Sequence, residues 1–257
     1  MMKFSALNES SLSDDDGDPE LATREAQEEE AYALYHQALK KQSEAKIEDS
    51  EKMFKDVLKM EFVTRAQLND EKEEGPLGPA LTLKYLVYKN LATISNEKQD
   101  YLAAVTFFLE ALEIDATDVS MWYRMGKASL NISNYSLARL CFEEGLKCNP
   151  NHWPCLDNVI TVMYTLNDYA NCLYYIAQGL ERECYYLKGL VFKDRIYQED
   201  PSLKSFCESY FKKCDPSIHL SEYDKEEADK LIQESLDMRE RKRSLYKPTP
   251  LPVLALR

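Results

Sequence analysis

The chain has 257 residues, of which 44% are hydrophobic and 30% charged, and this balance is typical of a globular protein with a sizeable core. Its seven glycines form no cluster, which argues against Gly-rich phosphate loops and against β architectures with many tight turns. A nucleic-acid-binding protein needs a basic face, and the bulk of a chain with a net charge of −13 does not supply one, so we expect no direct binding of nucleic acid. We find no signal peptide and no apolar run of membrane-spanning length, so the seven cysteines indicate reduced thiols in the cytosol or nucleus.

The N-terminal segment is strongly acidic. Residues 9–30 contain ten acidic side chains and one arginine. A segment with this charge and so few hydrophobic residues cannot bury enough apolar surface to fold alone. We therefore predict a disordered acidic tail over residues 1–24, with the folded domain beginning at residue 25 and continuing to about residue 220.

A first helix pair is predicted over residues 31–64. Its apolar residues fall on the same columns as those of three later copies, although Gln37 and Lys41 interrupt the pattern. Residues 65–84 follow and contain "NDEKEEGPLGP", which predicts an acidic loop punctuated by glycine and proline.

Three ungapped copies of a 34-residue unit follow, over residues 85–118, 119–152 and 153–186. Equivalent columns share a tyrosine, a small residue and a bulky residue: Tyr101, Tyr135 and Tyr169; Ala104, Ala138 and Cys172; Phe108, Phe142 and Ile176. Apolar spacings of three and four predict two amphipathic helices in each copy, with small residues where the two backbones approach. The unit over 119–152 matches the tetratricopeptide pattern. The predicted fold is therefore all-α, a right-handed tetratricopeptide-repeat solenoid of antiparallel helix pairs.

The C-terminal part continues the repeat and then departs from it. Residues 187–214 are predicted to form a degenerate helix pair that caps the array and is split at Asp200-Pro201. Residues 221–246 are predicted to form one long charged helix that begins with Ser221 as its N-cap, and residues 247–257 form an extended tail.

Three cysteines raise the question of a metal site. Cys141, Cys148 and Cys155 recur every seven residues, and His152 lies between the last two. Cysteine and histidine at short spacings are typical zinc ligands. The repeat phase, however, places these cysteines on mostly apolar columns, where cysteine packs as a small hydrophobic residue. We therefore predict neither a metal nor a cofactor.

Catalysis finds little support in the sequence. His36, His152 and His219 lie far apart, and no nucleophile elbow, Walker loop or dinucleotide fingerprint occurs. We predict that the protein is not an enzyme.

A peptide groove is the remaining candidate site. In a tetratricopeptide array the first helix of each repeat lines the concave face. The columns expected to face the groove carry several basic and amide side chains: Lys89, Asn90, Thr93, Tyr123, Arg124, Lys127 and Asn158. These residues predict a site for an acidic or extended peptide, while the alternative is that they are ordinary solvated positions. Only Lys89 matches the five-residue clamp with which tetratricopeptide co-chaperones hold a C-terminal carboxylate, so we do not predict that clamp.

One family resembles this sequence beyond the repeat. The stretch "LARLCFEEGLKCNPNHWPCLDNVITVMYTLNDYANCLYYI", together with "REAQEEEAYALYHQAL" and "YYLKGLVFKDRIY", resembles the N-terminal tetratricopeptide segment of the calcineurin-binding protein cabin family. The resemblance implies a nuclear scaffold subunit of the HIRA histone-chaperone complex, which assembles nucleosomes independently of replication. Members of that family are several times longer, so we expect this chain to be a fragment or an isoform, and calcineurin binding is not carried over.

Two functions therefore remain open at this point. One is a chromatin assembly scaffold, and the other is a cytosolic peptide-binding adaptor or co-chaperone that shares only the repeat. The sequence leaves open the oligomeric state, the surface that a partner uses, and whether the acidic tail contacts histones.

Overall fold

The computed structural model describes residues 19–66, 77–214 and 225–245, with side chains from residue 23 onward. Within these ranges all regular secondary structure is helical. The chain forms two compact units, residues 1–87 and 88–257, and the boundary falls inside the helix that crosses it. We describe each unit by itself.

The first unit consists of one long helix pair, a short third helix and the beginning of a fourth. The helices are α1 (Pro19–Ser43), α2 (Ile47–Lys59), α3 (Glu61–Thr64) and the first part of α4 (Pro79–Glu97). Tyr35 and Phe54 pack with ring centroids 5.7 Å apart, and the buried Ser50 hydroxyl donates to the carbonyl of Ala38 at 2.9 Å. Ala38 and Ser50 occupy the two small columns of the repeat, and both are buried where this hydrogen bond joins α1 to α2.

The second unit contains the rest of α4 and the regular repeats. Its helices are α5 (Tyr101–Ile114), α6 (Val119–Asn131), α7 (Tyr135–Cys148), α8 (Trp153–Thr165), α9 (Tyr169–Arg182), α10 (Leu187–Glu199), α11 (Leu203–Phe206), a 3-10 turn η1 (Glu208–Phe211) and α12 (Lys225–Leu245). Consecutive helices from α5 to α10 pack against each other. Small residues again lie at the close approach: an ideal Cβ on Gly126 would stand 2.5 Å from the ring of Phe142. The helix-pair repeat predicted from the column pattern is confirmed.

The turn inside each helix pair has one recurring conformation. Columns are numbered 1 to 34 from the first residue of each repeat. Ala45, Gln99, Ser133 and Asn167 all have φ near 60° and all occupy column 15 of their repeats. The degenerate first copy therefore makes the same turn as the three regular ones. None of the four residues is glycine, so each position bears the steric cost of a left-handed conformation.

Several predicted boundaries need correction. Residues 19–24 were assigned to the disordered tail, but α1 begins at Pro19, because proline is favoured at a helix start and "ELATREAQEEE" is rich in helix formers. The predicted loop over residues 65–84 is shorter, since α4 begins at Pro79. Four predicted features lie outside the described residues: the disordered tail over 1–18, the middle of the acidic loop over 67–76, the N-cap at Ser221 and the extended tail over 247–257.

The predicted cap also differs from a helix pair. Its first helix is α10, but α11 and η1 replace the second helix with two short turns. Pro201 lies two residues after the end of α10 and cannot continue it. The apolar residues that follow are spaced for a helix, yet the segment forms only the four-residue α11 and η1. The charged helix predicted over 221–246 is described from Lys225 to Leu245.

Candidate protein-interaction surface

The predicted groove residues lie on α4, α6 and α8, the first helices of the three regular repeats. In each repeat the structure places the residue at column 5 against the residue at column 34, just before the next repeat. Lys89 and Tyr123 are predicted groove residues at column 5, and the third residue there is Asp157. These column 5–34 contacts join successive repeats, and they occur three times with different chemistry.

The first contact is an ion pair. The Lys89 Nζ lies 2.9 Å from Oδ2 of Asp118, and the two side chains are 35% and 18% exposed. The other carboxylate oxygen of Asp118 accepts the backbone N–H groups of Ser120 and Met121 and so caps α6. The ammonium that was predicted to meet a peptide is thus engaged within the protein.

The second contact is aromatic. The rings of Tyr123 and His152 meet edge to face with centroids 5.6 Å apart, and Phe142 lies 6.1 Å from Tyr123 on another side. Burial raises the pKa of the Tyr123 hydroxyl, and burial lowers the pKa of the His152 imidazole. Both groups are therefore neutral at pH 7, and Tyr123 serves packing between repeats.

The third contact is a buried polar cluster. The Tyr186 hydroxyl donates to Oδ1 of Asp157 at 2.8 Å, and the Lys188 ammonium lies 2.7 Å from Oδ2. Lys188 is buried, and burial together with the charge of Asp157 raises the pKa of the Tyr186 hydroxyl. The carboxylate is satisfied internally, so this end of the surface offers no free acidic group at Asp157.

The remaining groove candidates differ in what they contact. Thr93 donates to the Lys89 carbonyl at 2.8 Å, and Asn158 donates to the Pro154 carbonyl at 2.7 Å. Asn90 also has interactions within the protein. Arg124 lies over the Phe108 ring at 5.7 Å, and Lys127 is exposed on the next turn of α6. Within the described residues neither of these two cations has a carboxylate partner.

A second part of this surface was not predicted from the sequence. The helix α12 packs against α8 and α10, the first helices of successive repeats. Ser235 and Met238 are buried there, and Arg239 reaches the C-terminal end of α8. A signal was present: Leu231, Ser235, Met238, Lys242 and Leu245 have alternating spacings of four and three, which define one face of a helix.

Two of the three cysteines considered as metal ligands are buried, as their apolar columns predict. Cys141 and Cys155 are buried, and burial raises the pKa of each thiol to about 12. Cys148 is exposed instead, because it lies at the end of α7, and its thiol donates to the Ala116 carbonyl at 3.3 Å. His152 is the N-cap residue of α8 and faces Tyr123. Among the described residues, no three His, Cys, Asp or Glu side chains gather as metal ligands.

The comparisons with known proteins decide the family. The family model for the CABIN1 N-terminal domain matches residues 29–201, which is well over half of the chain. The chain belongs to the family of CABIN1 N-terminal domains. A relative named calcineurin-binding protein 1, from Arabidopsis thaliana, is 29% identical over 175 residues, which cover 67% of this chain but only 9% of that protein.

Solved structures support the tetratricopeptide fold of this CABIN1 N-terminal domain. The structure of YrrB, described as a TPR protein with an unusual peptide-binding site, is 12% identical with a TM-score of 0.52, and the match covers 86% of this chain and 92% of that one. The structure of the MamA protein is 13% identical with a TM-score of 0.51 and covers 87% and 99% of the two chains. The family and the fold together are those of a protein-interaction scaffold.

The CABIN1 match includes α4, α6, α8 and α10 and ends at residue 201, before α12. In the ranges that the structure describes, none of the helices combines the length and apolarity needed to cross a membrane.

Proposed function

We propose that this chain is a non-enzymatic scaffold that assembles a nuclear histone-chaperone complex acting in replication-independent nucleosome assembly. The observation that carries the proposal is the match of residues 29–201 to the CABIN1 N-terminal domain. The repeat architecture suits this role, because stacked helix pairs present an extended surface to a protein partner. The chain needs neither a cofactor nor a metal for it.

The partner is proposed to bind at α6, where Arg124 and Lys127 lie one turn apart. Lys127 is exposed, and neither cation has a carboxylate partner among the described residues. Free guanidinium and ammonium groups form charge-assisted hydrogen bonds with carboxylates of an acidic segment. We leave Lys89 out of the proposed site because its ammonium is paired with Asp118. An exposed acidic stretch of a complex subunit is the partner chemistry that fits.

Charge reversal tests the proposal directly. The tagged chain carrying Arg124→Glu and Lys127→Glu is compared with wild type for co-purification from nuclear extract. A control with Lys147→Glu and Arg182→Glu makes the same change of net charge on α7 and α9, the second helices of their repeats. We expect histone-chaperone subunits with wild type and with the control, and their loss with the α6 variant. Circular dichroism verifies that helicity is retained in all three proteins.

Two results would contradict parts of this proposal. Retention of the subunits by the α6 variant would show that Arg124 and Lys127 do not form the binding surface. An eluate that contains heat-shock chaperones in place of histone-chaperone subunits would instead support a cytosolic co-chaperone and refute the chromatin role.

A further inference from the structure

The helix α12 lies on the face that α8 and α10 form together. Ser235 and Met238 lie on adjacent turns of α12 and on the same face of that helix, and they are 0% and 4% exposed. The Ser235 hydroxyl lies 3.5 Å from the Thr161 carbonyl, and the Thr165 hydroxyl lies 3.8 Å from the Met238 sulfur. Leu231 and Ile232 pack against the same core. This face is thus a binding surface for a helix, and it is occupied.

One arginine gives the contact its specificity. The guanidinium of Arg239 donates to the Tyr164 carbonyl at 2.6 and 3.2 Å and lies over the Tyr164 ring at 4.0 Å. It also donates to the Tyr169 hydroxyl at 3.0 Å, and it lies 3.6 Å from the carboxylate of Glu199. The side chain is 14% exposed. A planar, multidentate cation fits this site as a lysine could not.

The site for this arginine is built by the repeats themselves. The Tyr164 hydroxyl donates to Oε1 of Glu199 at 2.6 Å, and the Tyr169 hydroxyl donates to the other carboxylate oxygen. Glu199 therefore links the ends of α8, α9 and α10 and supplies the negative charge. The carbonyl of Tyr164 belongs to the last turn of α8, where the helix dipole is negative and favours a cation.

We propose that the α8–α10 face is an arginine-reading helix-binding site, which the chain fills with its own α12. The ligand class is an amphipathic helix whose side chains pack against this face at positions i, i+4 and i+7 and which has an arginine at i+8. In α12 these positions are the partly buried Leu231 and the buried Ser235 and Met238. A helix of this class from another protein binds to the α8–α10 face only when α12 has dissociated from it. The site is separate from Arg124 and Lys127, and it does not rest on the function proposed for them.

A peptide competition in the full chain tests this inference. A fluorescein-labelled peptide of residues 225–245 is titrated with the wild-type chain, with Arg239→Ala and with Arg241→Ala. Arg241 is exposed on the same helix and is the matched control. Because Arg239→Ala weakens only the internal ligand, we expect it to bind the peptide about tenfold more tightly than wild type and the control do. The double variant Arg239→Ala with Glu199→Gln should bind the peptide no more tightly than wild type does, because the site for the peptide's arginine is then weakened as well.

Amide hydrogen exchange provides a second measurement on the same full-length proteins. Exchange over residues 225–245 should accelerate about tenfold in Arg239→Ala relative to Arg241→Ala, while α6 and α7 remain protected. Equal peptide affinity of all chains, or equal exchange of α12 in the two arginine variants, would overturn the proposal.

Discussion

Lys89 Nζ lies 2.9 Å from Oδ2 of Asp118, so an ion pair joins column 5 of one repeat to the N-cap of the next. The same columns hold the edge-to-face contact of Tyr123 with His152 and the hydrogen bond from Tyr186 to Asp157. The same pair of columns therefore forms an ion pair at the first repeat junction, an aromatic contact at the second and a buried polar cluster at the third. In all three repeats the residue at column 5 contributes to the contact with the next repeat.

A double-mutant cycle measures the first of these junctions. Asp118→Ala removes both a helix cap and an ion-pair partner, and we expect it to lower the free energy of unfolding by about 1–2 kcal/mol. Lys89→Met leaves the cap intact and should cost less than about 1 kcal/mol, since the pair is partly exposed. Urea unfolding of the two single variants and the double variant should give a coupling of about 0.5 kcal/mol. Strictly additive effects would show that the ion pair contributes nothing.

The left-handed turns predict an unusual stabilising substitution. Ala45 has φ 60°, which an alanine tolerates poorly, so Ala45→Gly should raise the free energy of unfolding by about 0.5 kcal/mol despite the greater freedom of the unfolded glycine. The control is Ala26→Gly at an exposed position within α1, where the same substitution should cost about 1 kcal/mol. Urea unfolding distinguishes the two. Destabilisation by both variants would contradict the turn conformation.

The close approach of α6 and α7 predicts a strong steric effect. A Cβ at position 126 would lie 2.5 Å from Cε1 of Phe142, inside a closely packed core. Gly126→Ala should therefore destabilise the protein by about 2 kcal/mol, although alanine is the better helix former. Gly78→Ala is the control, because a Cβ there would meet nothing within 4 Å. Thermal unfolding that leaves both variants near wild type would refute the packing of this junction.

The repeat itself was predictable because each column reports one local requirement. Ala104 and Ala138 mark the close approach of two helices, and Phe108 and Phe142 fill the space beside it. Such requirements recur every 34 residues, so three copies reveal them. The burial of Cys141 and Cys155 also followed from the mostly apolar character of their columns, although the equivalent Phe107 and Tyr175 are only partly buried.

The pairings of polar residues were not predictable in the same way. The column pattern places Lys89 on the exposed side of α4 but does not state that Asp118 will hold it, because that pairing occurs in only one repeat. The docking of α12 was missed for another reason. Its buried stripe includes Ser235, so its apolar signal is weak, and its contacts with Thr161 and Tyr164 span more than seventy residues.

Thiol labelling tests the placement of the cysteines. Cys148 and Cys184 are exposed and should react with a maleimide within minutes in the native protein. Cys141 and Cys155 should react far more slowly, because they are buried and because a pKa of about 12 leaves almost no thiolate at pH 7. Peptide mass spectrometry after timed quenching gives each rate.

The same labelling provides a check on the metal prediction. We expect one equivalent of zinc to leave the Cys148 rate unchanged, because Cys155 is buried in the junction. Protection of Cys148 and Cys155 together by zinc would indicate a metal site and contradict this account.

The acidic partner of Arg239 predicts how α12 docking depends on pH. Burial alone would raise the pKa of Glu199, but hydrogen bonds from Tyr164 and Tyr169 and the charges of Arg239 and Arg195 lower it overall below its ordinary value of 4.5. A carboxyl whose pKa is lower in the folded state stabilises that state above the unfolded pKa, and the stabilisation disappears as the pH falls through the folded pKa. We therefore expect Glu199→Gln to destabilise the protein at pH 7 and to have progressively less effect below pH 4.5. Urea unfolding of wild type and variant at several pH values gives the difference, and Glu240→Gln, on the exposed side of α12, should show no such trend. A destabilisation by Glu199→Gln that stays constant down to the lowest pH would mean that the charge of Glu199 does not hold Arg239.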